Sequence, residues 1–315
     1  MDSTTTAVIA ADAAGIARAA TLLREGRLVA IPTETVYGLA ARADRAEAVA
    51  AIYRAKGRPD FNPLIVHVPD LAAGERLARF DDRARALAAA FWPGPLTLVL
   101  PLRDDAGIAP AVTAGLPTIA LRCPAHPVMR AVLAEAGLPL AAPSANRSGA
   151  VSPTSAAHVA GSLGGRVPLV LDGGSCAAGI ESTIVALDPT GWRVLRPGPI
   201  AAEAIAGVIG GVMGTGEGGG IEAPGQLASH YAPGKPVRLG ATAAEADEYL
   251  IGFAAISGDD NLSASGDLAE AAANLYAALH RSAADARPRI AVAAIPDEGI
   301  GAAINDRLRR AATHA

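Results

Sequence analysis

The chain has 315 residues, 51% of them hydrophobic, and a formal net charge of −4 at pH 7. This length exceeds one typical domain and predicts two. No apolar run reaches the roughly 18 residues of a membrane span, so we expect a soluble protein without membrane contact. The negative charge argues against general attraction to nucleic acid, although a local basic surface would still bind it. The N-terminus lacks the basic start and apolar core of a secretory signal, which predicts a cytoplasmic location.

In chain order, apolar runs and Ala-rich stretches alternate through residue 208 and predict an α/β (α+β) domain. Helices are predicted at 16–25, 45–56, 82–91, 127–136 and 153–161, the last capped by Ser152. Strands are predicted at 28–31, 64–68, 96–102, 118–122, 138–142, 167–171, 182–187 and 193–195. Several of these join through Pro and Gly turns rather than helices, which favours a mixed sheet.

The composition changes at 207–225, a Gly-rich run that predicts a nearly structureless linker. Strands at 236–239, 249–256 and 289–295 and helices at 268–284 and 301–312 then predict a small Rossmann-like unit. We therefore divide the chain into a catalytic domain at 1–208, a linker at 209–234 and a C-terminal domain at 235–315.

Lysine is rare in this chain, because only Lys56 and Lys235 stand among its 27 basic residues. Lys56 lies two residues before Arg58, so the pair offers a point charge beside a planar, bidentate donor. That combination suits a polyphosphate. A solvated helix end before Pro59 is the equally open alternative.

Polar residues follow several of the apolar strands. A Thr-rich turn, PTETVYGL at 32–39, follows the first predicted strand, and either orients a small ligand or is an ordinary turn. His67 ends another strand, where a structural histidine is the commoner case. Arg122 ends a third strand and needs an anion if it is buried, either a ligand carboxylate or an acidic residue of the chain.

Two later segments add further donors. AAPSANRSG at 141–149 follows a buried strand, and its Ser and Asn side chains either bind phosphate or ribose oxygens or only form a loop. LRPGP at 195–199 places another arginine, Arg196. We hypothesise that Lys56, Arg58, Arg122 and Arg196, all at element ends, converge on one anion site.

In eight ordered blocks the chain resembles the L-threonylcarbamoyladenylate synthases, the YrdC-like family, in its two-domain form. The blocks are PTETVYGL (32–39), KGRPDFNPLIVHV (56–68), WPGPLT (92–97), TIALRCPAHP (118–127), AAPSANRSG (141–149), GIESTIV (179–185), LRPGP (195–199) and PGQLASHYAP (224–233). The resemblance implies a twisted mixed sheet around a large cavity, a linker that closes over it and a small Rossmann-like C-terminal domain.

It also implies a nucleotidyltransferase that makes L-threonylcarbamoyl-AMP from L-threonine, bicarbonate and ATP, with Mg²⁺ accompanying ATP and pyrophosphate leaving. This is the first step of N6-threonylcarbamoyladenosine formation at position 37 of tRNAs that read ANN codons. The product would pass to the tRNA threonylcarbamoyl transferase machinery, and a weak contact with tRNA itself is left open. The alternative from another class is an RNA-binding module that uses the same basic cavity; the net charge and the few aromatic residues weigh against it.

The resemblance assigns roles residue by residue and implies no protein-held metal. The positions that match the threonine site are Thr35, His67, Arg122, Ala142 through its backbone, and Ser182. The positions that match the ATP site are Lys56, Arg58, Asn62, Thr118, Ser144, Asn146, Ser152 and Arg196, of which Lys56 and Arg58 are expected to be catalytic. In the linker, His230 and Tyr231 match the lid, whereas some members carry an aromatic residue where this chain has Leu227-Ala228-Ser229, which puts stacking on the nucleotide there in doubt.

Overall fold

The computed structural model describes residues 5–188, 191–211, 213–214, 222–226 and 230–313. Fourteen strands are formed by these described residues: β1 (Ala7–Ala10), β2 (Val29–Ile31), β3 (Gly38–Arg42), β4 (Ile65–His67), β5 (Leu96–Pro101), β6 (Thr118–Arg122), β7 (Leu140–Ala141), β8 (Leu169–Asp172), β9 (Thr183–Asp188), β10 (Gly191–Arg196), β11 (Val237–Ala241), β12 (Glu248–Gly252), β13 (Asp260–Asn261) and β14 (Arg289–Ala293). The same residues form ten helices: α1 (Ala13–Arg24), α2 (Ala46–Lys56), α3 (Leu71–Glu75), α4 (Asp82–Phe91), α5 (Pro110–Thr113), α6 (Pro127–Ala136), α7 (Ala156–Leu163), α8 (Ala202–Ile209), α9 (Leu268–Ala284) and α10 (Ile300–Ala312).

Ten strands form one mixed sheet in the order β1-β8-β2-β3-β7-β4-β6-β5-β9-β10. Parallel pairs such as β4 with β6 alternate with antiparallel pairs such as β5 with β6. Side chains alternate across the sheet: in β2, Val29 and Ile31 pack with α1 and α6, while Ala30 packs in the cluster that contains α2 and α4. Helices therefore cover both faces, and the predicted mixed α/β sheet is confirmed.

The second sheet has the order β11-β14-β12-β13, and all of its pairs are parallel. Its core includes Leu275 and Leu279 of α9 and Ile304 and Leu308 of α10, each pair at the four-residue spacing of an amphipathic helix. This unit is the smaller α/β domain expected after residue 235. The three-part division at 208 and 234 stays a prediction, and residues 212, 215–221 and 227–229 of the linker lie outside the described residues.

The end of α2 positions the lysine-arginine pair. Gly57 follows the helix with φ of 62° and ψ of 36°, a left-handed conformation that a residue with a Cβ atom adopts only with strain. The turn buries Lys56 and Arg58 together, at 3% and 9% exposure. The alternative of a solvated helix end is wrong.

Several predicted elements match the structure residue for residue, among them α4, α6, α9 and β6. Strand β3 was missed: Gly38 and Leu39 were taken as the end of the Thr-rich turn, and residues 40–42 were assigned to no element. The cap prediction at Ser152 is wrong: α7 begins at Ala156, and Ser155 caps it by accepting a hydrogen bond from the His158 amide. The nearly structureless linker was predicted to start at residue 207, which is too early, because helix α8 continues to Ile209. In the described part of the chain no helix combines the length and apolarity needed to cross a membrane.

The two domains meet closely at Gly179, which has φ of +70°. A Cβ atom at this position would lie 2.4 Å from the Ala272 carbonyl oxygen and 2.4 Å from the Ala273 Cα atom, both in the backbone of α9. Neither atom can move without shifting the helix. Only glycine lets the domains pack this closely.

We expect Gly179→Ala to destabilise the packing of the two domains by about 1–3 kcal/mol, through the backbone clash and the left-handed φ. Equilibrium denaturation and limited proteolysis of the linker measure it. Gly207→Ala is the matched control, because nothing lies within 4 Å of its added Cβ atom and Gly207 is helical. That variant should be as stable as the parent chain or more so. Equal stability of the two variants would contradict the expectation.

Candidate active site

A cleft opens beside β4 and β6. In the register of these parallel strands His67 lies opposite Arg122, so the carboxyl ends of both strands bring polar groups to the same place. Ten of the predicted site residues line the cleft, namely Thr35, Arg58, His67, Arg122, Ala142, Ser144, Ser182, Arg196, His230 and Tyr231. The sequence-based convergence of Arg58, Arg122 and Arg196 on one site is therefore seen in the structure.

At one end of the cleft, Arg122 is held by three oxygen acceptors. Its guanidinium donates to Glu34 Oε1 at 2.7 Å, to Thr35 Oγ1 at 2.9 Å and to the Gly94 carbonyl oxygen at 3.3 Å. Glu34 therefore satisfies the buried charge from within the chain, one of the two alternatives left open above. Since a guanidinium has five N–H groups, donors remain for a ligand carboxylate.

Electrostatics fix the charge states at this end. Burial alone would raise the pKa of Glu34, but the charge and hydrogen bond of Arg122 outweigh it and lower that pKa. Burial, and then repulsion by Arg122, lowers the pKa of His67 to about 3. His67 is thus a neutral imidazole at pH 7, able to donate from one nitrogen and accept at the other.

The other end of the cleft holds Arg58 and Arg196. Arg58 donates to the backbone carbonyl oxygens of Asn62 and Pro63, at 3.2 and 2.9 Å. Arg196 donates to the Ser182 carbonyl oxygen at 3.1 and 3.0 Å and to its hydroxyl at 3.1 Å. Burial is the main cause that lowers the pKa of both guanidinium groups, that of Arg58 to about 10. Both remain cations at neutral pH.

Lys56 lies behind the cleft wall. Its ammonium donates to the backbone carbonyl oxygens of Ser144 and Asn146, and to Asn146 Oδ1 at 3.4 Å. Burial and then Arg58 lower its pKa well below the usual range. Lys56 thus orders the Ser-x-Asn loop, whose Ser144 does line the cleft.

Glu181 is a carboxylate within the cationic end of the cleft. It accepts hydrogen bonds from Ser152 at 2.6 Å, Tyr276 at 2.8 Å and Arg307 at 2.9 Å. Burial would raise its pKa, but Arg307 and Arg196 outweigh burial and lower it to about 2. Ser152, one of the predicted ATP residues, is bonded to this carboxylate behind the cavity wall.

Other predicted residues lie farther away. Thr118 begins β6 and is four residues from Arg122 at its other end, which separates them by about 13 Å. Asn62 is buried beside Arg58, and the Asn146 amide donates to the carbonyl oxygens of Arg147 and Ala150. These residues, with Lys56 and Ser152, do not line the cavity.

The linker covers the cleft. Pro224, Gly225, His230 and Tyr231 line it, and a Cβ atom on Gly225 would lie 2.9 Å from Arg196 Cδ. The His230 and Tyr231 rings pack edge to face with centroids 4.0 Å apart. The doubtful stacking position at 227–229 lies outside the described residues.

Four buried side-chain atoms in the described residues have no hydrogen-bond partner, and all belong to predicted site residues. They are Asn62 Oδ1, His67 Nδ1, His230 Nδ1 and the Tyr231 hydroxyl. Such atoms are rare in folded proteins because leaving one unpaired is costly. Three of them belong to residues that line the cleft, His67, His230 and Tyr231, which indicates that the cleft is built for a polar ligand.

Glu34 and Glu181 were not predicted as site residues. Both stand inside quoted sequence blocks, each directly before a residue expected to bind threonine. The sequence signal that could have found them was an acidic residue beside an apolar strand, in a chain where several other strands end in arginine. It could not reveal that Glu181 pairs with Arg307, 126 residues later.

A family model of the Sua5/YciO/YrdC proteins, described as "Telomere recombination", matches residues 21–198. The chain belongs to this family. A second model, "Threonylcarbamoyl-AMP synthase, C-terminal domain", matches residues 200–313.

Relatives of this family match nearly the whole chain. The threonylcarbamoyl-AMP synthase of Bacillus subtilis is 42% identical over 321 residues, which cover 94% of this chain and 92% of that protein. The enzyme of the same name from Pyrococcus abyssi is 39% identical over 319 residues, 93% of this chain and 92% of that protein. The crystal structure of P. abyssi Sua5 complexed with L-threonine has a TM-score of 0.88 and 35% identity, and covers 98% of this chain and 97% of its own.

The two buried histidines His67 and His230 predict an acid-sensitive fold. Burial lowers the pKa of each to about 3, whereas an unfolded histidine titrates near 6.5. Between these values the unfolded chain binds more protons, so the free energy of unfolding falls as pH falls, by up to about 1.4 kcal/mol per unit for each histidine.

We therefore expect His67→Gln to reduce the slope of the unfolding free energy against pH between pH 6.5 and 5. The reduction should correspond to the uptake of up to one proton fewer on unfolding. Urea denaturation at several pH values measures it. This window lies above the range in which the lowered pKa values of Glu34 and Glu181 contribute. Measurements from pH 7 to 8 are the internal control, and an unchanged slope in the acidic window would contradict the expectation.

Proposed function

We propose that this chain is the enzyme that makes L-threonylcarbamoyl-AMP from L-threonine, bicarbonate and ATP, the first step of N6-threonylcarbamoyladenosine formation at position 37 of tRNAs that read ANN codons. Relatives at 42% and 39% identity carry the name of this activity over almost all of the chain. The observation that carries the proposal is the cleft itself, in which buried cations and unpartnered polar atoms face the same space.

The Arg122 end suits threonine, the ligand named for the P. abyssi structure. The remaining Arg122 donors can bind the threonine carboxylate, while Glu34 holds the guanidinium in place. Thr35, Ser182 and the backbone at Ala142 are close enough to line the same space. Neutral His67 offers an unpartnered Nδ1 to the amine or the hydroxyl.

The opposite end suits ATP. Asn62 and Thr118 lie near the amino ends of β4 and β6, and His67 and Arg122 lie at the carboxyl ends, about 13 Å away along the strands. The nucleotide would extend from the cleft toward Asn62 and Thr118, which do not line it. Arg58 and Arg196 then lie where phosphate charge has to be neutralised, with Ser144 beside them.

The reaction needs alignment more than a protein nucleophile. The threonine nitrogen bonds to the carbon of bicarbonate and water leaves; a carbamate oxygen then bonds to the α-phosphorus of ATP, and the bond to pyrophosphate breaks. Both reacting groups are anions, so buried cations held in place before binding stabilise their approach. This step makes the enzyme a nucleotidyltransferase.

Mg²⁺ belongs to the proposal as the companion of ATP. Among the residues that the structure describes, no three His, Cys, Asp or Glu side chains cluster as a metal site. The Glu181 oxygens are occupied by protein donors. The ion would therefore be held by phosphate oxygens and water, where it would offset phosphate charge.

Transfer of the product to the tRNA threonylcarbamoyl transferase machinery and a cytoplasmic location complete the proposal. Direct binding of RNA is less well supported, because the cleft arginines are buried beneath the linker rather than displayed on the surface.

The direct test is incubation of the full chain with ATP, bicarbonate and L-threonine, followed by mass spectrometry for threonylcarbamoyl-AMP. Pyrophosphate should appear in equal amount. L-serine lacks one methyl group and should react about 10- to 200-fold less efficiently. A folded chain that binds ATP but forms neither product would contradict the proposal.

Lys56→Ala should lower kcat by about 10²- to 10³-fold, because the Ser-x-Asn loop loses the donor that orders it. Lys235→Ala is a matched control, since this lysine also donates to two backbone carbonyl oxygens, those of Ser282 and Asp285, but in the C-terminal domain. Pyrophosphate release measures both variants. Near wild-type turnover of Lys56→Ala would contradict the assignment of Lys56 to the site.

A further inference from the structure

The C-terminal domain contacts the nucleotide end of the cleft with three side chains. Tyr276 and Arg307 donate to the Glu181 carboxylate at 2.8 and 2.9 Å. His280 lies 3.1 Å, through Nε2, from the Ser152 carbonyl oxygen. Helices α9 and α10 thus hold both partners of the Ser152–Glu181 hydrogen bond.

Arg307 is fully buried, as Tyr276 is, with an exposure of 0%. Besides Glu181, its guanidinium donates to the Pro197 carbonyl oxygen at 3.0 Å and to Asp306 at 2.6 Å. Pro197 directly follows Arg196, so Arg307 anchors the segment that carries a cleft cation. A buried charge with three partners holds one geometry.

The lid residues rest on the same two side chains. The Tyr231 ring stacks on Tyr276 with centroids 5.6 Å apart, and the Arg307 guanidinium carbon lies 5.2 Å from the Tyr231 centroid. The backbone amide of His230, the residue before Tyr231, donates to the Arg310 carbonyl oxygen at 3.4 Å. The linker therefore closes against the C-terminal domain as well as against the cleft.

Glu181 presents a problem that Arg307 solves. A carboxylate beside Arg58, Arg196 and Lys56 competes with phosphates for the same cations. When Arg307 and Tyr276 hold it, its charge is neutralised from outside the cleft. Without them, Glu181 would pair with Arg196 and remove a cation from the phosphates.

We propose that Arg307 and Tyr276 are positioning residues for the nucleotide half of the cleft, which they hold through Glu181 and Tyr231. The C-terminal domain thereby contributes to ATP binding without touching ATP. This inference rests on the proposed function. It predicts a defect mainly in ATP binding, because the hydrogen bonds of Arg122 and Glu34, on which the threonine end is built, involve neither Arg307 nor Tyr276.

The test is steady-state kinetics of Arg307→Gln and Tyr276→Phe in the full chain. Arg307→Gln should raise KM for ATP on the order of tenfold, a typical coupling between distant groups, and change KM for threonine less than twofold. Tyr276→Phe keeps the stacked ring and loses only the hydroxyl donor, so its KM for ATP should rise by a few fold. Arg309→Gln, an exposed arginine of the same helix, is the matched control and should leave both constants unchanged.

A double variant separates positioning from simple structural support. Glu181→Gln removes the charge that Arg307 neutralises, so Glu181→Gln with Arg307→Gln should recover part of the ATP affinity lost in Arg307→Gln alone. Thermal denaturation checks that each variant is folded. If Arg307→Gln fails to fold, Tyr276→Phe decides through its KM for ATP.

An unchanged KM for ATP in the folded variants would overturn the inference. So would equal increases in both KM values, or a double variant no better than Arg307→Gln. If the parent chain makes no product, the proposed function fails instead. The affinity of the same variants for a fluorescent ATP analogue then measures the positioning effect without depending on product formation.

Discussion

Three arginine side chains are buried along one cleft and Lys56 is buried behind its wall, and each of the four has to be satisfied by protein oxygens before any ligand arrives. Three of them, Lys56, Arg58 and Arg196, are held mainly by backbone carbonyl oxygens, which carry no net charge. Only Arg122 is neutralised directly, by Glu34. These hydrogen bonds therefore fix the cationic side chains without neutralising most of their charge. The positive potential that remains is what an anionic substrate pair requires.

The fold follows from the sequence where local signals agree. Helix α9 was predicted residue for residue, and in the structure its long apolar periodicity follows a capping aspartate, Asp267. Strand β3 was not found, since its small residues lack the branched and aromatic side chains that favour strands. Ser152 was mistaken for a cap because Ser155 offers the same chemistry three residues later.

The membership of the site was more predictable than its geometry. Sequence blocks predicted Lys56 as a site residue, which stays a prediction, and they could not show that its ammonium turns toward the backbone of residues 144 and 146. The reason for a lysine there is now physical: a compact ammonium fits among carbonyl oxygens where a planar guanidinium would not. Contacts such as Glu181 with Arg307 depend on how two domains dock, which no local pattern encodes.

The 126 residues between Glu181 and Arg307 also set an order of assembly. A ribosome that adds about 5–20 residues per second delivers the arginine roughly 6–25 s after the glutamate. During that interval the nascent first domain has its carboxylate free to pair with the cleft cations. Until the second domain has been synthesised and docked, the chain lacks the donors that hold Glu181 in the folded protein.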